Sequence, residues 1–194
     1  MSPVASRAQR CRRTVLRVLC AGAPLLVSLR LQRAGAAQAP VEQVKAAYLL
    51  KFPEFIEWPP SAFPTAASPF VIAVSGADDV YVELRAMATG SRVLGRAVEV
   101  RRLQNPEPGF VTQLVFVGND RATQLPAWVD AYAGRPVAIV ADTAGGLESG
   151  ATLNFVETAA RLRFEAAPAA AERSGLRLSS RLLGVAERVL KGGA

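Results

Sequence analysis

The sequence predicts a single-domain α/β protein, a three-layer α/β/α sandwich whose mostly parallel sheet carries an antiparallel edge pair. Short apolar runs of four or five residues, typical of strands buried on both faces, alternate with helical segments along the chain. The last two predicted strands are separated by only three residues, which favours an antiparallel pair. With 194 residues, 51% of them hydrophobic, the chain is long enough for one sizeable core.

The first predicted helix spans residues 41–57, and Pro53 is expected to kink or end it. The aromatic residues near its end are expected in the core. The apolar run Phe70–Val74 predicts the first buried strand. After a Ser-Gly turn, a helix is expected from about Asp79 to Ala88, with Asp78 as its cap.

The middle of the chain continues the alternation. Residues 96–103 alternate in polarity and predict a second strand, followed by a loop over Asn105–Gly109. The apolar runs Leu114–Val117 and Val137–Val140 predict two further buried strands, separated by a short helix over residues 125–133.

The antiparallel pair follows a loop, residues 144–150, that holds three glycines. We expect its strands over residues 151–157 and 161–165. Charged and apolar residues alternate in the second strand, so Leu162 and Phe164 face one side and Arg161, Arg163 and Glu165 the other.

The C-terminal segment predicts two more helices. Pro168 can open a short helix, and Gly175 suits a left-handed stop. After a second extended piece, Ser179 or Ser180 can cap a closing helix. That helix is expected to bury apolar residues at helical spacing, namely Leu182, Ala186, Val189 and Leu190.

The basic character of the chain is confined to its first 36 residues. The formal net charge is +7, but seven arginines precede Ala36 and the first acid is Glu42. Without those seven, sixteen cations face sixteen acids, so the remainder is close to neutral. The net charge therefore gives no support to nucleic-acid binding.

Residues 1–36 read as a cleaved signal peptide. An arginine-rich start precedes the apolar run Val15–Leu29, and Ala34 and Ala36 fit an A-x-A cleavage site. The mature domain is expected over residues 37–194 and is expected to be exported. The basic start also resembles a twin-arginine motif, so the general and the twin-arginine export routes both remain open.

A retained membrane anchor is disfavoured, because Arg17, Pro24 and Arg30 leave too short an apolar span. We expect no membrane insertion after processing. The only cysteines, Cys11 and Cys20, lie in the predicted leader, and the sequence has no histidine. The mature chain therefore lacks the residues for cysteine nucleophiles, Ser-His-Asp triads and the usual zinc sites. No catalytic role, metal or cofactor is expected.

Small or polar residues follow three of the predicted strands: Ser75-Gly76, Gly118-Asn119-Asp120 and Asp142-Thr143. The carboxyl ends of parallel strands share one rim, where ligands often bind. This pattern predicts a small-molecule site with Asn119, Asp142 and Thr143 as binding residues. The alternative is that these residues are ordinary caps and turns.

A second candidate surface is the charged face formed by Arg161, Arg163, Glu165 and Arg177. Arginines suit protein interfaces, because the planar guanidinium offers several donors and is weakly hydrated. This face is predicted to bind a protein partner. The alternative is a solvated face whose charges pair with one another.

Several stretches together resemble the YfiR-like family of periplasmic proteins over roughly residues 41–191. They are Lys45–Phe52, Glu57-Trp58-Pro59, Asn154-Phe155-Val156, Arg163-Phe164-Glu165, Ala170-Ala171-Glu172 and Gly175–Leu183. The resemblance implies a regulator that holds an inner-membrane diguanylate cyclase inactive by binding its periplasmic sensor domain. Release would raise cyclic di-GMP and favour biofilm growth.

Three function classes follow from these observations. The first is the regulator that the resemblance implies, with the cyclase as partner and a homodimer as a further candidate assembly. The second is a periplasmic small-molecule-binding module of a signalling or transport system, using the predicted rim site. The third, a hydrolase, has only the general presence of Ser, Asp and Lys behind it and ranks last.

Overall fold

A computed structural model describes residues 39–158 and 161–191, and the predicted leader lies outside this part of the chain. The strands are β1 (Ile56–Glu57), β2 (Phe70–Ser75), β3 (Arg92–Val93), β4 (Arg96–Arg102), β5 (Leu114–Val117), β6 (Ala138–Ala141), β7 (Leu153–Thr158), β8 (Arg161–Ala166), β9 (Arg177–Leu178) and β10 (Arg188–Val189). The α-helices are α1 (Val41–Lys51), α2 (Asp78–Ala88), α3 (Leu125–Ala131), α4 (Pro168–Arg173) and α5 (Ser180–Val185). No helix in the described ranges is both long and apolar enough to cross a membrane.

Eight strands form one mixed sheet in the order β10-β8-β7-β6-β5-β2-β4-β3, and β1 pairs with β9 in a separate ribbon. The five strands from β4 to β7 run parallel, which confirms the mostly parallel sheet. β7 and β8 form the predicted antiparallel pair. They do not form the edge, however, because β10 adds parallel to β8.

The closing helix is shorter than predicted. Ser179 caps α5 as expected, since its hydroxyl accepts a hydrogen bond from the Leu182 N–H at 3.3 Å. The helix ends at Val185, and the predicted continuation through Leu190 is wrong. The chain becomes extended there because the open edge of β8 offers partners: the Glu187 N–H donates to the Phe164 carbonyl and the Leu190 N–H to the Ala166 carbonyl, both at 2.8 Å.

One helix end and one helix start also differ from prediction. α1 ends at Lys51, and a 3-10 turn over Phe52–Phe55 accommodates Pro53 before β1 begins. Asp78 is the first residue of α2 and not its cap; Ala77 holds that position, without a side-chain hydrogen bond. The Asp78 carboxylate instead lies 3.4 Å from the Arg102 guanidinium.

Apolar clusters pack on both faces of the sheet, because side chains alternate along each strand. On one face, strand residues such as Ile72 and Phe116 meet Leu49 of α1 and Leu84 of α2. On the other face, strand residues such as Val115 contact α3, whose Leu125 and Trp128 side chains are fully buried.

Gln113, just before β5, joins the sheet to the segment that precedes β2. Its amide oxygen accepts from the Val71 N–H at 2.8 Å, and its amide nitrogen donates to the Ala62 carbonyl at 2.7 Å. The side chain is only 1% exposed, so water cannot replace either bond.

Gln113→Ala should therefore lower the free energy of unfolding by about 2 kcal/mol, because two buried backbone groups lose their partners. For a domain of this size the melting temperature should fall by roughly 4–8 °C. Gln104→Ala, at an exposed glutamine that accepts one bond from Arg121, is the matched control. An equal effect of both changes would contradict the assigned role of Gln113.

Candidate functional site

The β7–β8 hairpin projects beyond the carboxyl end of its parallel neighbour. Only Leu153 and Asn154 of β7 pair with β6, opposite Val140 and Ala141. The rest of β7 continues past β6 and pairs with β8 alone, up to Thr158 opposite Arg161. The first turns of α1 lie beside this projecting part.

A groove of about 540 Å³ separates α1 from the hairpin. It is lined by Ala39, Val41, Val44, Tyr48, Glu157, Arg161, Leu162 and Arg163. The wall that α1 contributes to the groove follows from the spacing of its residues. Val41, Val44 and Tyr48 recur at three- and four-residue intervals and therefore form one stripe along the helix. Lys45, Ala46 and Leu49 are buried elsewhere on the helix, so α1 carries apolar residues toward both the core and the groove.

Tyr48 connects the groove to the aromatic part of the core. Its ring lies edge-on to Phe155 and Phe164, each with ring centroids 5.9 Å away, and 5.5 Å from Phe52. Such pairs stabilise beyond the area that they bury. The inner wall of the groove is therefore held by packed core side chains.

The charges beside the groove differ in their pairing. Arg161 is exposed and forms no ion pair within the described part of the chain. The Arg163 Nε lies 3.1 Å from the Glu187 carboxylate, in a pair that is about half exposed on both sides. Exposed pairs of this kind contribute little to stability, so both arginines remain available to a partner.

The other two residues of the predicted partner face have different surroundings. Glu165 is bound by Arg188, with Nε–Oε1 at 2.6 Å and Nη2–Oε2 at 3.0 Å, and its carboxylate is 13% exposed. Arg188 also reaches Glu148 at 2.7 Å. The hydrogen bonds that Arg188 donates, first to Glu165 and then to Glu148, raise the pKa of Arg188, and the bond that Glu148 accepts from Arg188 lowers the pKa of Glu148. Arg177 lies in the β1–β9 ribbon, 3.7 Å from Glu57.

The structure thus brings Arg161 and Arg163 together at the groove and separates Glu165 and Arg177 from it. The sequence pattern did not identify the groove, because its helix wall comes from the other end of the chain. The stripe Val41, Val44 and Tyr48 was the available signal, but spacing alone does not distinguish a second apolar face from a wider core face.

The rim predicted for a small molecule is closely packed at its centre. β2 and β5 are neighbours whose following helices pack on opposite faces of the sheet, the arrangement at which α/β proteins often open a crevice. Here the Gly118 N–H donates to the Ser75 carbonyl at 2.8 Å. A Cβ on Gly118 would overlap the Gly76 carbonyl oxygen and lie 2.6 Å from the Ala77 Cβ.

The three predicted rim residues are engaged differently. Asn119 is exposed at the start of a 3-10 turn. The Asp142 carboxylate accepts from the Lys45 ammonium of α1 at 2.7 Å, and the Thr143 N–H donates to the Asn154 side chain at 3.2 Å. Asp142 and Thr143 therefore tie the end of β6 to α1 and β7, and their role in ligand binding stays a prediction.

The Lys45–Asp142 pair predicts a measurable stability effect. Its side chains are 11% and 23% exposed, so removing Asp142 leaves a largely buried ammonium without a partner. Asp142→Ala should lower the free energy of unfolding by about 2 kcal/mol, measured by urea denaturation. Adding Lys45→Met should recover part of this loss. The control is Asp120→Ala, at an exposed carboxylate; an equal loss there would contradict the assignment.

Comparison with known proteins gives a match to one family. A family model described as YfiR/HmsC-like matches residues 42–187. No curated protein matches the chain. The matched range contains both walls of the groove except Ala39 and Val41. It includes all the predicted site residues.

Proposed function

Because the chain belongs to the YfiR/HmsC-like family, we propose that it is a periplasmic regulator of cyclic di-GMP signalling. In this proposal it binds and represses the periplasmic sensor domain of an inner-membrane diguanylate cyclase. Release of the sensor would raise cyclic di-GMP in the cell and favour biofilm growth. The protein acts by binding and catalyses no reaction, in keeping with a sequence that has no histidine and no cysteine after Cys20.

The observation that carries this proposal is the groove between α1 and the β7–β8 hairpin. It combines an apolar wall with exposed arginines, and interfaces of proteins are enriched in aromatic residues and arginine. Tyr48, Arg161 and Arg163 supply these residue types here. The partner surface proposed is therefore this groove, with Arg161 and Arg163 at its centre.

The proposed architecture is consistent with this surface. In a three-layer α/β/α arrangement helices would cover both faces of the sheet, leaving its ends and edges to a partner. The projecting hairpin is at such an end. The alternative function, a small-molecule-binding module using the rim, has less support because Asp142 and Thr143 already bond within the protein.

The test uses protein purified from the periplasm and the periplasmic domain of a diguanylate cyclase encoded beside its gene. We expect a stable complex by calorimetry and size-exclusion chromatography, which also reports whether the protein alone is a homodimer. We also expect higher cyclic di-GMP in cells that lack the gene. No complex together with unchanged cyclic di-GMP would overturn the proposal.

A further inference from the structure

A second cavity, of about 310 Å³, lies near the other end of β7 from the groove. At about 3.3 Å per strand residue, the two ends of this strand are roughly 17 Å apart. The cavity is bordered by the C-terminal ends of α3 and α4 and by the starts of β6 and β7, next to Gly150. Its lining includes Val129, Tyr132, Ala133, Ile139, Ala170 and Arg173.

The cavity has an aliphatic wall and one polar corner. Val129, Ile139 and Ala170 provide the apolar wall. The polar corner is provided by Arg173, the last residue of α4, and by Ser174, which follows it. Within the described part of the chain, neither the Arg173 guanidinium nor the Ser174 hydroxyl has a hydrogen-bond or ion-pair partner, so both are free to hold an anion.

Another cavity with charged residues lies beside this corner. A neighbouring cavity of about 320 Å³ shares Arg173 and adds Glu148 and Lys191 to the lining. The Glu148 carboxylate already pairs with Arg188 at 2.7 Å. Arg173 and Lys191 are therefore the charged residues in these linings that have no ion-pair partner within the described residues.

The cavity walls are fixed by packing. Gly150 has φ of +100°, and a Cβ there would lie 2.9 Å from a Val129 methyl group, so backbone and side chain meet closely. The Tyr132 ring stacks on the buried Trp128 with centroids 6.3 Å apart. Its hydroxyl donates to the Glu107 carbonyl at 3.1 Å, so it is not the anion donor.

We propose that this cavity binds a medium-chain aliphatic carboxylate. The chain lies against Val129, Ile139 and Ala170, and the carboxylate accepts hydrogen bonds from Arg173 and Ser174. A planar guanidinium can bind both carboxylate oxygens, and a volume near 300 Å³ is at the small end of ligand pockets. The site is separate from the partner groove, so this inference does not depend on the proposed function.

The test is calorimetric titration of octanoate into protein purified from the periplasm, with the intrinsic tryptophan fluorescence as a second readout. Arg173→Gln should weaken octanoate binding at least tenfold. Ala133→Phe, at an exposed position in the lining, should block the cavity and weaken binding at least as much. Octanol, which lacks the charge, should bind at least tenfold more weakly than octanoate.

The matched control is Arg85→Gln. Arg85 is also an exposed arginine in the last turn of its helix, α2, and is outside the cavity. This variant should bind octanoate like the unchanged protein. Equal losses in Arg173→Gln and Arg85→Gln, unchanged binding in Ala133→Phe, or no binding by the unchanged protein would each overturn the proposal.

Discussion

Arg161→Glu should weaken binding of the cyclase's periplasmic domain by about a hundredfold, or roughly 2.7 kcal/mol, the scale of an interface hot spot. Arg161 lines the partner groove and is exposed, with no ion pair within the described residues. Reversing its charge removes a donor and places a carboxylate where the partner is proposed to meet a cation. Calorimetry with the purified sensor domain measures the loss.

Stability separates a binding role from a structural one. Arg161→Glu should leave the melting temperature nearly unchanged, because no described ion pair is broken. Arg163→Glu should also weaken binding, but it additionally places a carboxylate beside Glu187, its present partner at 3.1 Å. We expect that second change to cost less than about 1 kcal/mol of stability, because the pair is half exposed.

Arg177→Glu is the matched control for the groove. Arg177 is 80% exposed and lies in the β1–β9 ribbon, so this change alters net charge equally without touching the groove. It should leave the affinity within about twofold. If Arg177→Glu weakened binding as much as Arg161→Glu, the effect would be one of net charge, and the groove would lose its support as the partner surface.

Gly118→Ala, directly after β5, should lower the free energy of unfolding by about 3 kcal/mol or more. Gly118 has φ of −75°, so the cost does not come from backbone strain. It comes from overlap: the new Cβ would collide with the Gly76 carbonyl oxygen and the Ala77 Cβ, and neither is the end of a flexible side chain. One of the two central strands would have to move.

Chemical denaturation tests this, and the melting temperature should fall by roughly 6–12 °C. Gly109→Ala is the control, because a Cβ at Gly109 would meet no atom within 4 Å and its φ is not in the left-handed region. That change should be neutral or slightly stabilising. A Gly118→Ala protein as stable as the Gly109→Ala protein would show that the β2–β5 rim is more open than its backbone packing indicates.

The sequence alone predicted most of the strands, because the signal for a buried strand is local. The predicted runs beginning at Phe70, Leu114 and Val137 are apolar on both faces and form β2, β5 and β6 within one residue of expectation. The β7–β8 pairing was also local, since only a short connection separates the strands. The family resemblance, confirmed over residues 42–187, followed from a combination of such segments.

Tertiary structure decided the features that depend on distant partners. Helical spacing favoured a closing helix through Leu190. The chain is extended there instead, because the N–H groups of Glu187 and Leu190 donate to carbonyls on the open edge of β8. The four charged residues of the predicted partner face were divided: Arg161 and Arg163 lie together at the groove, whereas Glu165 is bound by Arg188 and Arg177 lies in the β1–β9 ribbon. The groove arises only when α1 packs beside the hairpin, more than 100 residues later in the chain. Local sequence patterns determine backbone conformation. The partners of an open sheet edge, a charged side chain or an apolar stripe come instead from whichever segments the fold brings near.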